Sequence, residues 1–261
     1  MSTNANSREP SEEEQLAEGT LMSHLLELRS RLMKAVLAVV VVFVCLVPFT
    51  QRVFELVSAP MIAALPEGSE MIVTDVAAPF LTPFKATFFV ALFLAMPVVL
   101  FQVWQFVAPG LYKREKRFAL PLILSSIVLF YMGIAFAYFI VFKIMFGFFA
   151  RVVPGGVEMA PDISAYLSFV LGIFLAFGLA FEVPIATVML IWSGLVSIKS
   201  LSTARAYVFL GAFVVGMFLT PPDVFSQTLL AIPMYLLYEG GLIMARILLP
   251  EKIAAEKSGE A

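Results

Sequence analysis

Hydrophobic positions in this chain fall in long continuous runs, without the alternation of a half-buried strand or the narrow stripe of a water-facing helix. Crossing a hydrocarbon layer of ~30 Å takes about 20 helical residues. Four runs reach that scale: Leu32 to Phe49, Ala86 to Val107, Phe118 to Phe149 with Pro121 near its start, and Tyr166 to Trp192. Two shorter ones follow, Tyr207 to Leu219 and Leu229 to Leu249, the latter interrupted by Glu239, Gly240 and Gly241. The pattern predicts an all-α polytopic membrane protein with six transmembrane helices, the last two short. At 1.5 Å per residue the fifth rises only ~20 Å, so it must thin the bilayer, be shielded by neighbours or line a wet groove.

The polar stretches between the runs add detail. The segment QRVFELVSAPMIAALP after span one has helical spacing and predicts a short helix lying on the membrane surface. Pro60, Pro66, Pro79 and Pro83 break the rest of that loop into turns, and Asp75 suits one of them. Asp162 is placed to cap the fourth helix, and Asp223, after Pro221 and Pro222, to cap the sixth. Residues 1–22 read as an acidic disordered tail, 23–248 as the six-helix membrane domain, and 249–261 as a second disordered tail.

Basic residues set the orientation. Arg29, Arg31 and Lys34 flank span one; Lys113, Arg114, Lys116 and Arg117 crowd the short link between spans two and three. Lys199 and Arg205 lie between spans four and five, and Arg246, Lys252 and Lys257 at or beyond the end of span six. The opposite side carries fewer, spread over longer loops. Both termini are therefore expected in the cytoplasm. Trp104, Tyr112, Trp192 and Tyr207 fall near expected interfaces and suit an aromatic belt.

Composition agrees with the pattern: 61% of the 261 residues are hydrophobic, against about 45–50% in soluble domains. No secretory signal peptide precedes the first span, because the opening residues are acidic and polar. With one cysteine, Cys45, no disulfide forms within the chain, and with one histidine, His24, no histidine cluster binds metal. No GxxxxGK[ST] loop occurs, which excludes a P-loop ATPase. No cofactor, metal or catalytic residue is expected, and the energy for any work must come from elsewhere.

Glu182 is the sharpest feature. It lies in the apolar stretch AFGLAFEVPIATVML, where a charge costs at least ~2.5–3.5 kcal/mol and where no local cation offsets it. Either it serves a polar contact that function requires, or it is a protonated packing residue. Pro184 just after it removes a backbone hydrogen bond.

Four stretches carry a family resemblance: HLLELRSRL at 24–32, QVWQFVAPGLYKREKR at 102–117, FGLAFEVP at 177–184 and LTPPDVFSQTLLAIPMYLLYE at 219–239. In order and spacing they resemble the TatC family, the polytopic receptor of the twin-arginine protein translocase, with a close likeness to proteobacterial members. The resemblance implies a glove- or cup-shaped bundle in the bacterial inner membrane that binds twin-arginine signal peptides of folded precursors. It implies assembly with TatA-like and TatB-like single-span subunits into a multi-protomer complex driven by the proton-motive force. No nucleic acid is expected as a partner.

On the matching positions, twin-arginine recognition falls to Glu27 and Glu115. Carboxylates are the natural partners of guanidinium forks. Arg29, Lys113 and Arg114 surround them and also fix orientation; the competing reading is that Glu27 pairs with Arg29 or Arg31, and Glu115 with neighbouring basic residues, in weak ion pairs that merely solvate an interface. Phe106 matches an aromatic near that surface, with interfacial packing as its other reading. Glu182 matches a glutamate of the concave groove that meets a partner helix, and Asp223 a functionally sensitive acid. Glu239 is expected to pair with Arg246. The competing reading is a proton-coupled secondary transporter of a small cationic substrate using Glu182, which requires a second ionisable residue facing it, Glu239 being the nearest candidate.

Overall fold

A computed structural model describes residues 12–62, 71–107, 116–152, 160–220 and 223–250. Helix α1 runs Glu12–Leu46 and passes through one 3₁₀ turn at Val47–Phe49 into α2, Thr50–Ile62. The short helix expected after span one is therefore present. Its Val53 and Ser58 are buried, and it packs against α3, Ala78–Val107. The start of α1 lies upstream of residue 22, because EEEQLAEGTLM consists mostly of strong helix formers. Helix α4, Lys116–Phe136, continues through a π-helical turn at Ala137–Val141 into α5, Phe142–Val152. Helix α6 is Ile163–Trp192, α7 is Ile198–Thr203, α8 is Arg205–Leu219 and α9 is Val224–Leu248.

Among the described residues five helices are long and apolar enough to cross a membrane, and α8 is a shorter apolar one. The last helix differs from expectation: α9 has 25 residues, so of the final pair only α8 is short. Gly240 and Gly241 do not interrupt it. At Gly241 an added Cβ would lie 2.9 Å from the Pro184 Cα, so the glycine serves close approach of α9 to α6. Gly133 does the same between α4 and α6, where a Cβ would meet the Phe177 carbonyl oxygen.

Helix α6 is the centre of the bundle. Of its most apolar window 61% is buried inside the protein, against 11% for the first span, so α6 is core and α1 faces outward. Helices α3, α4 and α9 pack on α6, while α1 packs chiefly on α3 and α8 on α9. The result is a row of helices with α1 and α8 at its two ends. Phe130, Phe177, Leu167, Leu171 and Leu230 fill the space around α6 with no exposure above 1%.

One carboxylate ties the end of the bundle at which α6 begins. Asp162 caps α6, accepting the N–H groups of Ser164 at 3.0 Å and Ala165 at 2.8 Å. Its other oxygen accepts the Thr74 N–H at 3.0 Å and the Thr74 hydroxyl at 2.7 Å. Ile72 pairs there with Asp162 in a parallel bridge, its N–H donating to the Pro161 carbonyl. Asp75 makes the expected turn by accepting the Ala77 N–H at 3.0 Å. The Thr74 hydroxyl, with the N–H groups of Ala165, Thr74 and Ser164, holds the Asp162 carboxyl below the usual carboxylate range. A depressed folded value means that this contribution is complete above the ordinary value of about 3.9 and is lost as pH falls through the folded value. Asp162→Ala is expected to speed amide exchange at Thr74, Ser164 and Ala165 several-fold at neutral pH. Wild-type protein should show the same local opening only in acid below pH ~4; unchanged exchange in the variant would remove the staple.

Candidate functional sites at the Glu27 end and around Glu182

The helical register of α1 places Glu27 one turn before Arg31, and the two pair. Arg31 Nε donates to Glu27 Oε1 at 2.9 Å and Nη2 approaches the same oxygen at 2.5 Å. The Arg31 fork also reaches across to α3, where Nη1 donates to Gln105 Oε1. The Glu27 side chain keeps 38% of its exposure and Arg31 20%, so this is a half-solvated pair. Phe106 follows Gln105 on α3 and is partly buried, and Arg29 is exposed on α1. Glu115, Lys113 and Arg114 lie outside the described residues. The structure thus brings Glu27 to the end of α3 that carries Phe106. Arg31 and Gln105 were not singled out from the sequence as site residues. The i,i+4 Glu–Arg spacing on a helix was the available signal for the first of them; nothing in the sequence marked Gln105.

Glu182 is only 7% exposed and lies on the face of α6 turned towards α3 and α4. The Ser126 hydroxyl of α4 donates to Glu182 Oε2, and the Trp104 indole N–H of α3 donates to Ser126 Oγ at 2.8 Å. Ser126 is fully buried and Trp104 is 6% exposed, so three helices meet in one buried polar relay. Glu182 Oε1 has no hydrogen-bond partner among the described residues. Trp104 is therefore not the interfacial anchor expected. Its ring is buried among core side chains, where an indole N–H needs an acceptor and Ser126 supplies one.

Asp223 caps α9 as expected, accepting the Ser226 N–H at 2.7 Å, while its Oδ2 is buried without a partner among the described residues. Glu239 pairs differently from expectation. Arg205 of α8 engages it with both arms, Nε at 2.6 Å and Nη2 at 3.0 Å, and the Tyr235 hydroxyl donates at 3.0 Å. Arg246 instead contacts Ser202 at 3.4 Å. Seven residues along a helix is a rise of ~10 Å, whereas Arg205 faces Glu239 across the contact of two adjacent helices. Glu239 thus has its own cation and does not serve as a second group facing Glu182, which weighs against the transporter reading. Among the described residues no cluster of three His, Cys, Asp or Glu forms a metal site.

A multi-pass helical membrane protein, with one half-exposed carboxylate at a basic end and one carboxylate buried mid-helix, is the class defined by this fold and these sites. The family model described as Sec-independent protein translocase protein (TatC) matches residues 23–233. A protein of that name from Azotobacter chroococcum is 62% identical over 236 residues, 90% of this chain and 92% of the relative. Its counterpart from Escherichia coli K12 is 58% identical over 226 residues, covering 87% and 88%. A crystal structure titled as the twin arginine translocase receptor TatC superposes with a TM-score of 0.78 at 37% identity, covering 86% of this chain and 98% of the other. The chain belongs to the TatC family. It is a multi-pass inner-membrane component of the twin-arginine protein translocase with the six-span, glove-shaped bundle of that family, and it is not an enzyme.

Proposed function

We propose that this protein binds the twin-arginine signal peptides of folded precursors at its cytoplasmic surface and nucleates the translocation complex. Glu27 and Glu115 are the carboxylates that receive the two arginines, with Arg29, Phe106, Lys113 and Arg114 shaping the surface around them. The observation that carries this reading is the Glu27–Arg31 pair, a carboxylate already holding a guanidinium at a half-exposed site. Exposed ion pairs of this kind are worth about 0–1 kcal/mol. An incoming arginine can therefore exchange for Arg31, whose fork retains Gln105.

On this reading residues 1–22 and 249–261 are solvated cytoplasmic tails flanking a membrane domain at 23–248, the first of them partly helical. Both termini face the cytoplasm, in keeping with the basic residues around spans one, two and three. Glu182, and Asp223 at the other end, are where TatA-like and TatB-like single-span helices engage as the multi-protomer, proton-motive-force-driven complex assembles.

The test is co-purification from detergent extract followed by affinity measurement in nanodiscs. Twin-arginine precursors and single-span subunits should come down with the protein. Precursor affinity should fall as salt rises, because the Debye length shrinks from ~10 Å at 0.1 M to ~3 Å at 1 M. The fall should be partial, since the apolar part of a signal peptide is not screened. An affinity independent of ionic strength would rule out carboxylate-led recognition.

A further inference from the structure

Two polar contacts meet α3 at neighbouring residues, one from each of the sites described above. Gln105 accepts the Arg31 guanidinium of α1, the cation that also holds Glu27. Trp104, the residue before it, donates its indole N–H to Ser126 of α4 at 2.8 Å, and Ser126 donates to Glu182 of α6. Consecutive residues lie about 100° apart around a helix, so a turn or tilt of α3 that follows Gln105 carries Trp104 with it.

The direction of the buried relay is fixed by chemistry. An indole N–H only donates, so Ser126 must accept it, and the one hydrogen of the Ser126 hydroxyl is left for Glu182. Hydrogen bonds in such a chain strengthen one another, so Trp104 both orients Ser126 and makes it the better donor. Glu182 Oε2 is held in this way, while Oε1 has no partner among the described residues. Trp104 thereby sets which oxygen of the carboxyl is left to offer.

A hinge lies one step along α3 from these residues. Pro97 sits inside the helix and has no N–H for the Phe93 carbonyl one turn earlier. The Tyr131 hydroxyl of α4 donates to that carbonyl at 3.0 Å. The backbone ladder is open there and is closed by a side chain of the neighbouring helix, which makes Pro97 a natural pivot. Residues 98–107 beyond it form a lever ~15 Å long. On this lever Gln102 Oε1 is buried without a partner among the described residues, so the present seating leaves one acceptor unmet. At 2.8 Å, a shift of about 1 Å takes the Trp104–Ser126 contact out of hydrogen-bond range.

We propose that residues 98–107 of α3 couple the Glu27 site to Glu182, with Gln105 and Trp104 as positioning residues. When Arg31 leaves Glu27 its fork keeps Gln105, so its change of place is handed to the segment. The segment pivots at Pro97, Trp104 lets go of Ser126, and Glu182 is presented differently. The identity of the two ligands, a twin-arginine peptide at one end and a single-span helix at the other, rests on the function proposed above.

The test uses full-length protein in nanodiscs. The chain has two tryptophans, so Trp192→Phe leaves Trp104 as the one emitter. In that background Ser126→Ala should move Trp104 emission to shorter wavelength, because the indole N–H loses its acceptor. Without any precursor, Glu27→Ala should move it the same way, and should add nothing once Gln105→Ala is present; Lys34→Gln on α1 should have no effect. Unchanged emission in Ser126→Ala would remove the relay. An unchanged emission in Glu27→Ala, or the same Glu27→Ala shift with and without Gln105, would overturn the coupling. A second arm follows cysteine cross-linking from the Glu182 face to a single-span partner. In wild type, saturating twin-arginine precursor should change the yield about fivefold, the lower end of ordinary coupling between sites. Ser126→Ala and Trp104→Phe should lose that response, and a full response in both would overturn the role of Trp104. No response in wild type, with the emission shifts as expected, would remove the assignment of the ligands and leave the coupling in place.

Discussion

Replacing Glu27 and Glu115 together by alanine is expected to abolish measurable cross-linking to a precursor whose arginine pair is intact. A hydrogen bond to a charged group contributes about 1.5–3 kcal/mol. At Glu27 part of this is offset, because the incoming arginine displaces Arg31 from the same oxygen. Each single replacement should therefore weaken binding about tenfold, and the double replacement by more than either alone. Glutamine keeps an acceptor but loses the charge, so Glu27→Gln and Glu115→Gln should fall between wild type and alanine. A precursor carrying two lysines should bind weakly to wild type and respond little to either change, since an ammonium lacks the bidentate fork. Normal binding of the intact precursor to the double variant would place recognition elsewhere. Arg31→Lys gives a sharper test: with its fork removed, the Glu27 carboxylate is held less well, and precursor affinity should rise or stay level. A fall in affinity would mean that Arg31 positions Glu27 instead of standing in for the cargo.

Periodicity was a good guide where a side chain's partner is local and a poor one where the partner sits on another helix. The four long spans, the short helix at Thr50–Ile62 and the caps at Asp162 and Asp223 were legible, because each depends on residues within a few positions. The buried relay was not. Ser126 is one serine in an apolar run, Trp104 lies where a membrane-interface tryptophan belongs, and only the crossing of α3, α4 and α6 brings them to Glu182. The Arg205–Glu239 pair was hidden for the same reason. The expected run began at Leu229, five residues inside the true start of α9 at Val224, because the polar Ser226, Gln227 and Thr228 hid its first turn, and the interruption expected at Glu239, Gly240 and Gly241 is absent. Gly241 is instead where α9 comes against Pro184 and Thr187 of α6, and the glutamate has its cation on α8.

Glu182→Lys is expected to give the most severe loss of transport of any single change at mid-membrane, and Glu182→Ala the next. Lysine places a cation where insertion alone costs about 2.5–3.5 kcal/mol, against Ser126 and Trp104, which already present donors and have no acceptor to offer it beyond the serine oxygen. Alanine leaves the buried Ser126 hydroxyl without its acceptor, at a cost of about 1–3 kcal/mol, and deletes the group offered to a partner helix. Glu182→Gln keeps an acceptor for Ser126 and adds a donor, so it should be mild if the contact needs only hydrogen bonding. Ser126→Ala separates packing from function. It releases Glu182 Oε2 while leaving the carboxyl in place, and a hydrogen bond between membrane helices is worth roughly 0.6–2 kcal/mol. If Glu182 serves a single-span partner, Ser126→Ala should leave cysteine cross-links from the Glu182 face to that partner's helix intact, whereas Glu182→Ala should lose them. Both variants should still bind precursor at the Glu27 end. Equal transport defects in Ser126→Ala and Glu182→Ala, with cross-links present in both, would assign the carboxylate to holding α3, α4 and α6 together and to nothing further.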